Sequence, residues 1–224
     1  RVRLTSEGTI NTRPVWTPDG MRVTFRSTRG RDSDLFWTLA DGSGKTEPLL
    51  VRPGVQYPDS WSPDGQVLAF DENDTNAGRD IWLMAKNGKP EPFLATRFNE
   101  RGPKFSSDGR WLAYVSDESG RDEVYVQAYP SRGGKVAISA SGGTQAVWAA
   151  NGDLFYREGN RMIVVSVRTT PALIVGTPQM LFEIDQNTAR DLNSPDYDVS
   201  PGGQRFVMIK PDQATTPPPI GGVL

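Results

Sequence analysis

The sequence contains no cysteine and no histidine. The first absence excludes disulfides, thiolate metal sites and a cysteine nucleophile. The second removes the usual general base at neutral pH, the Ser-His-Asp triad and the commonest metal ligand. An excess of one charge is also missing. Lys and Arg number 25 against 27 Asp and Glu, a formal net charge of −2, which argues against a nucleic-acid partner. Long hydrophobic runs are absent too. The longest aliphatic stretch, Met162 to Val165, is far short of the roughly 20 residues that cross a bilayer. The first residues, Arg1 to Thr5, lack the apolar core of a signal peptide. No membrane insertion, cofactor or bound metal is expected.

What is present points to turns and short strands. The 23 glycines and 18 prolines imply many reversals and few long helices. Six Trp, six Tyr and nine Phe supply core bulk, and 224 residues suit a single domain over 1–224. A repeat organises the chain. Trp16-Thr17-Pro18-Asp19-Gly20 recurs as Trp61-Ser62-Pro63-Asp64-Gly65, Phe105-Ser106-Ser107-Asp108-Gly109, Trp148-Ala149-Ala150-Asn151-Gly152 and, more weakly, Val199-Ser200-Pro201-Gly202-Gly203. The spacings of 45, 44, 43 and 51 residues match the period of a four-stranded propeller blade.

Each copy is physically coherent. An aromatic closes a strand, and the tetrad after it turns the chain, with Asp or Asn capping and Gly at positive φ. Second strands follow at Val23–Phe25, Leu68–Phe70, Leu112–Tyr114, Leu154–Tyr156 and Phe206–Met208. Third strands are read at Leu35–Trp37, Ile81–Leu83, Val124–Val126 and Ile163–Val165. Fourth strands are read at Pro48–Leu50, Pro92–Leu94, Val136–Ile138 and Met180–Phe182. No capped pattern of period 3.6 exceeds two turns. The fold expected is all-β, a β-propeller of four-stranded blades. Four blades are complete. A fifth has two strands between Asp196 and Lys210, a third at Ile220–Leu224, and an N-terminal strand at Val2–Thr5 that closes the ring and removes an exposed edge. The alternative is a fragment of a six-bladed or larger propeller.

The stretches Ser107-Asp108-Gly109-Arg110-Trp111-Leu112-Ala113-Tyr114-Val115-Ser116 and Ser119-Gly120-Arg121-Asp122-Glu123-Val124-Tyr125-Val126 carry a family resemblance. So do Gly142-Gly143-Thr144, Leu154-Phe155-Tyr156-Arg157 and Tyr197-Asp198-Val199-Ser200-Pro201. Together they resemble the WD40-like (PD40) repeats of the TolB-like propeller superfamily, above all the propeller region of bacterial proteins in which such repeats follow a serine/threonine kinase domain. The resemblance implies a periplasmic or other extracytoplasmic bacterial setting. It implies little about activity, because one fold hosts many functions. The Gly-His and Trp-Asp pairs of true WD40 blades are absent, as are all kinase signatures.

Most motif-like stretches read as scaffold. Gly42-Ser43-Gly44-Lys45-Thr46 resembles the end of a phosphate-binding loop, but Leu39 stands where its first glycine belongs, and the segment joins a third strand to a fourth. Asp71-Glu72-Asn73-Asp74 is acidic, yet Thr75 and Trp82 occupy the fifth and twelfth positions of an EF-hand frame, so a solvated loop is expected. The repeated Gly-Arg-Asp at 30–32, 78–80 and 120–122 is read as structural, with Arg reaching the next blade. The repeated tryptophans are read as packing between blades.

A binding site is expected where the loops from fourth to first strands meet the channel. Those loops carry Arg13, Tyr57, Arg101, Gln145 and Asp196. Two guanidiniums and a phenol suit a ligand with carboxylate or carbonyl groups. The function expected is a non-enzymatic, monomeric binding or sensor module for a protein, peptide or small ligand. The alternatives are a carboxylate-dependent propeller glycoside hydrolase or lyase and a propeller that gates a peptidase.

Overall fold

The computed structural model describes residues 3–5, 7–8, 10–29, 33–74, 78–184 and 195–209. Among them there is no helix. The first blade is the sheet β1 (Asn11–Trp16), β2 (Arg22–Ser27), β3 (Asp34–Leu39) and β4 (Glu47–Leu50). The second is β5 (Val55–Trp61), β6 (Val67–Asp74), β7 (Gly78–Ala85) and β8 (Pro90–Leu94). The third is β9 (Glu100–Phe105), β10 (Trp111–Ser116), β11 (Glu123–Ala128) and β12 (Val136–Ala137). The fourth contains β13 (Thr144–Trp148), β14 (Asp153–Glu158), β15 (Arg161–Arg168), β16 (Ile174–Val175) and β17 (Gln179–Glu183). A hairpin of β18 (Tyr197–Val199) and β19 (Phe206–Met208) begins a fifth. All pairings within these sheets are antiparallel.

The repeated tetrad explains why the first two strands of each blade form a hairpin. In the second blade the Ser62 hydroxyl donates to the Asp64 carboxylate at 2.5 Å, and the same carboxylate accepts the Gln66 N–H at 3.0 Å. Gly65 takes a φ of 67° that few side chains tolerate. Thr17 with Asp19 and Ser106 with Asp108 repeat this geometry. Each turn thus satisfies its own backbone donors and reverses the chain without help from elsewhere.

The core is divided among blade interfaces. Leu35, Trp61, Leu68, Phe70 and Met84 pack the first blade against the second. Ala69, Ile81, Phe93, Phe105, Leu112 and Tyr114 pack the second against the third. Trp61 shows what the repeated aromatic does. Its indole lies 6.4 Å from that of Trp37, nearly parallel, and its N–H donates to Thr24 Oγ1 of the first blade at 3.1 Å. Trp16, in the equivalent slot of the first blade, is 59% exposed.

Two features depart from the sequence expectation. Arg3, Leu4 and Thr5, the described part of the proposed closing strand, form no strand, and Leu4 and Thr5 instead line a small cavity together with Val23, Phe25 and Thr38 of the first blade. The proposed third strand of the fifth blade, Ile220–Leu224, lies outside the described residues. The fourth blade has an extra strand, because β15 is long enough to pair β17 along one half and β16 along the other.

The acids at 71–74 are not a solvated loop. They lie in β6, where Asp71 and Glu72 are buried. Arg79 and Arg121 form ion pairs within their own blades, with Asp71 and Glu123 respectively, and Arg121 also donates to the Ala140 carbonyl in the loop that leads to the fourth blade. The stretch 30–32 lies outside the described residues.

Candidate functional site

The first strands of all five sheets contribute to one cavity of about 300 Å³. Its wall takes Arg13, Pro14 and Val15 from β1, Pro58, Asp59 and Ser60 from β5, and Lys104 and Phe105 from β9. Val147 and Trp148 of β13 and Tyr197 and Asp198 of β18 complete it. The strands reach it through a shared irregularity. Register shifts fall between Thr12 and Val15, between Pro58 and Ser60, and between Thr144 and Val147. Beside them Arg13, Gly102 and Gln145 adopt positive φ of 54°, 64° and 57°. A bulge re-aims side chains at such points, and here it does so where the strands line the channel.

The chemistry of the site lies in charges held out of water. Lys104 Nζ donates to the Asp59 carbonyl at 2.6 Å, tying the third blade to the second. The Asp59 carboxylate accepts the Asp71 N–H at 3.1 Å. Burial pushes the Asp59 carboxyl up to about 8, the charge of Asp71 adds to the rise, and Lys104, Arg13 and Arg79 oppose it. Burial also raises Asp71, against the pull of Arg79 and Arg13 at 3.6 and 3.9 Å. Burial lowers Lys104, which Asp59 partly offsets. Tyr57 sits within a fan of guanidiniums, with Arg13, Arg79 and Arg26 at 4.3, 4.5 and 4.7 Å from its ring centre.

The five residues expected at the site fall into two groups. Arg13 and Tyr57 are together, with Arg13 in the cavity wall. The other three are buried in ties between elements. Arg101 is bonded to Asp122. The Gln145 carbonyl accepts the Tyr197 hydroxyl at 2.7 Å. Asp196 takes Arg157 Nη1 on both oxygens, at 3.0 and 2.8 Å, with each side chain only 4% exposed.

Asp59 and Lys104 were not singled out by sequence reasoning, though a signal existed. In the two positions before the closing aromatic, the first and fourth blades read Pro14-Val15 and Ala146-Val147, whereas the second and third read Asp59-Ser60 and Pro103-Lys104. The fifth copy also carries a charge, Asp198, and a charge at a position that the first and fourth blades fill without one is not required to build the strand.

No family model matches the chain. A TolB homolog of Chlorobium luteolum is 28% identical over 129 residues, covering 55% of this chain and 28% of that protein. An uncharacterized peptidase of Bacillus subtilis, YuxL, is 23% identical over 159 residues, covering 52% of this chain and 24% of that protein. The chain therefore spans about a quarter of the length of these two relatives. Among solved structures, the putative TolB of Agrobacterium tumefaciens superposes with a TM-score of 0.71 at 18% identity, covering 92% of this chain and 76% of that one. The fold is that of a TolB-like β-propeller.

Proposed function

We propose that this TolB-like propeller is a non-enzymatic binding or sensor module that holds a protein, peptide or small ligand at its channel. The observation that carries the reading is the set Arg13, Asp59 and Lys104 in one cavity wall, with Asp59 and Lys104 at positions where the first and fourth blades place only uncharged residues. A scaffold gains little from burying charge. A binding site gains orientation and specificity from it. In this reading Arg13, Tyr57 and Lys104 face the ligand, while Arg101, Gln145 and Asp196 hold the walls. The setting proposed is periplasmic or otherwise extracytoplasmic in a bacterium, with a protein or peptide partner. The relatives named TolB support a protein-binding role.

The test uses a fluorescent glutamate–alanine peptide and anisotropy. Binding should weaken as salt rises and fall at least about tenfold on Arg13→Ala, while Arg101→Ala should act chiefly on melting temperature. Equal affinity for Arg13→Ala and the parent would overturn the assignment of Arg13. The peptidase relative supports a second reading, a propeller that gates a peptidase. Under the first reading, assays with peptide, ester, phosphate and polysaccharide substrates give no turnover. Turnover abolished by Asp59→Asn would establish the carboxylate-enzyme alternative instead.

A further inference from the structure

The repeat supplies an internal reference for what the cavity adds to the scaffold. β1 and β13 build the same bulged first strand with no charge in the two positions before their tryptophans. The charges at Asp59, Lys104 and Asp198 are therefore not needed to make the strand. Around the cavity basic and acidic side chains alternate: Arg13 on β1, Asp59 on β5, Lys104 on β9 and Asp198 on β18. Phe105, Val147 and Trp148 form an apolar sector of the wall, which Ser60 and Tyr197 also line. At about 300 Å³ the space lies at the small end of ligand pockets.

We propose that this cavity binds a free apolar α-amino acid as its zwitterion. Its carboxylate is met by Arg13 and Lys104, its ammonium by Asp59 and Asp198, and its side chain by Phe105, Val147 and Trp148. This deepens the channel-ligand reading and rests on it. A partly desolvated charge needs an opposite or hydrogen-bonding partner. A ligand with a carboxylate alone would leave Asp198, and Asp59 once ionised, without an opposite charge from the ligand, and one with an ammonium alone would face Arg13 and Lys104. A peptide end carries only one of the two charges, so the free amino acid is the form that satisfies both halves.

Binding should also move a proton. The groups around Asp59 are Arg13 on β1, Asp71 on β6, Arg79 on β7, Lys104 on β9 and Asp198 on β18, and Asp59 is held mostly protonated near neutral pH. An arriving ammonium favours its carboxylate. The proton leaves to buffer, and affinity rises with pH up to about 8.

The experiment is calorimetry with three probes: L-phenylalanine, 3-phenylpropanoate and 2-phenylethylamine. Each is titrated in two buffers of different ionisation heat, with the glutamate–alanine peptide in parallel. Phenylalanine should bind at least about tenfold tighter than either singly charged analogue, with a buffer-dependent heat that signals proton release. Asp59→Asn should weaken phenylalanine about tenfold or more, abolish the buffer dependence and leave 3-phenylpropanoate nearly unchanged. Asp198→Asn, at an exposed residue, gives a second variant if Asp59→Asn fails to fold, and it should weaken phenylalanine alone. Equal binding of phenylalanine and 3-phenylpropanoate overturns the zwitterion and leaves a carboxylate site. Peptide binding without phenylalanine binding overturns this inference but not the channel reading. Failure of all probes, the peptide included, overturns both.

Discussion

Asp64 and Asp59 stand five residues apart on one hairpin and meet opposite fates. Asp64 is on the open turn, where the Ser62 hydroxyl and the Gln66 N–H hold its carboxyl below the ordinary range. Asp59 is in the cavity wall, where burial and Asp71 push its carboxyl up to about 8. One is repeated as Asp19 and Asp108 and does the same work each time. The other has no acidic counterpart at its position in the other blades. The difference separates two regions of the molecule. Repeated polar residues are satisfied locally and build the blade, whereas four unrepeated charge-bearing residues, Arg13, Asp59, Lys104 and Asp198, come from different blades to one cavity.

The sharpest break of the scaffold side is Trp61→Ala, which should cost about 3–5 kcal/mol in urea unfolding. Trp16→Ala, at the same repeat position but largely exposed, should cost less than about 1 kcal/mol. Equal costs would mean that the slot, not its burial against a neighbouring blade, sets the energy.

An effect of about 3–5 kcal/mol is also expected for Asp196→Ala, which strands the Arg157 guanidinium in a buried pair. This sharpens the comparison, because Asp196 is an unrepeated charge that serves the scaffold. A loss below about 1 kcal/mol would move it to the ligand-facing group.

A pH-dependent effect, gradual rather than all at once, comes from Asp59 itself. Its folded pKa lies above that of the unfolded chain, so the folded state binds more protons between about pH 4 and about 8. The stability it contributes is full below that window and is lost as pH rises through it, by no more than about 1.4 kcal/mol per pH unit. Asp71 is raised also and acts with the same sign. Asp59→Asn should flatten the decline measured by denaturation across pH. A parent protein whose stability rises through this window would contradict the assignment.

The smallest effect expected is Ser62→Ala, about 1 kcal/mol, read as a fall of about 2–4 °C in melting temperature. No change would show that the turn holds without its hydroxyl.

The blades were legible because their signal is local. A strand-closing aromatic, a hydroxyl, an Asp and a Gly lie within five residues and recur about every 44 positions. The positions of the second, third and fourth strands in the first four blades followed from that. The extra strand β16 was not legible, since only two residues pair and nothing marks the length of β15 beforehand. The site was legible in part. Of the five residues expected there, Arg13 lines the cavity and Tyr57 stacks on it, whereas Arg101, Gln145 and Asp196 are taken up in ties between elements. Arg157 meets Asp196 across 39 residues, and Gly102 meets Asp71 across 31. Such partners are chosen by how blades stack, which no single repeat encodes. Asp59 and Lys104 were readable in principle from the repeat columns, because the first and fourth blades fill both positions without charge.

The central claim is that the channel charges serve binding and not the scaffold. The double variant Asp59→Asn with Lys104→Met tests it most directly, because it removes both charges together and strands neither. Melting temperature and binding of phenylalanine and the glutamate–alanine peptide are measured on the same protein. The account predicts a melting temperature within about 3 °C of the parent and loss of both ligands. A fall of more than about 10 °C with binding intact would contradict it.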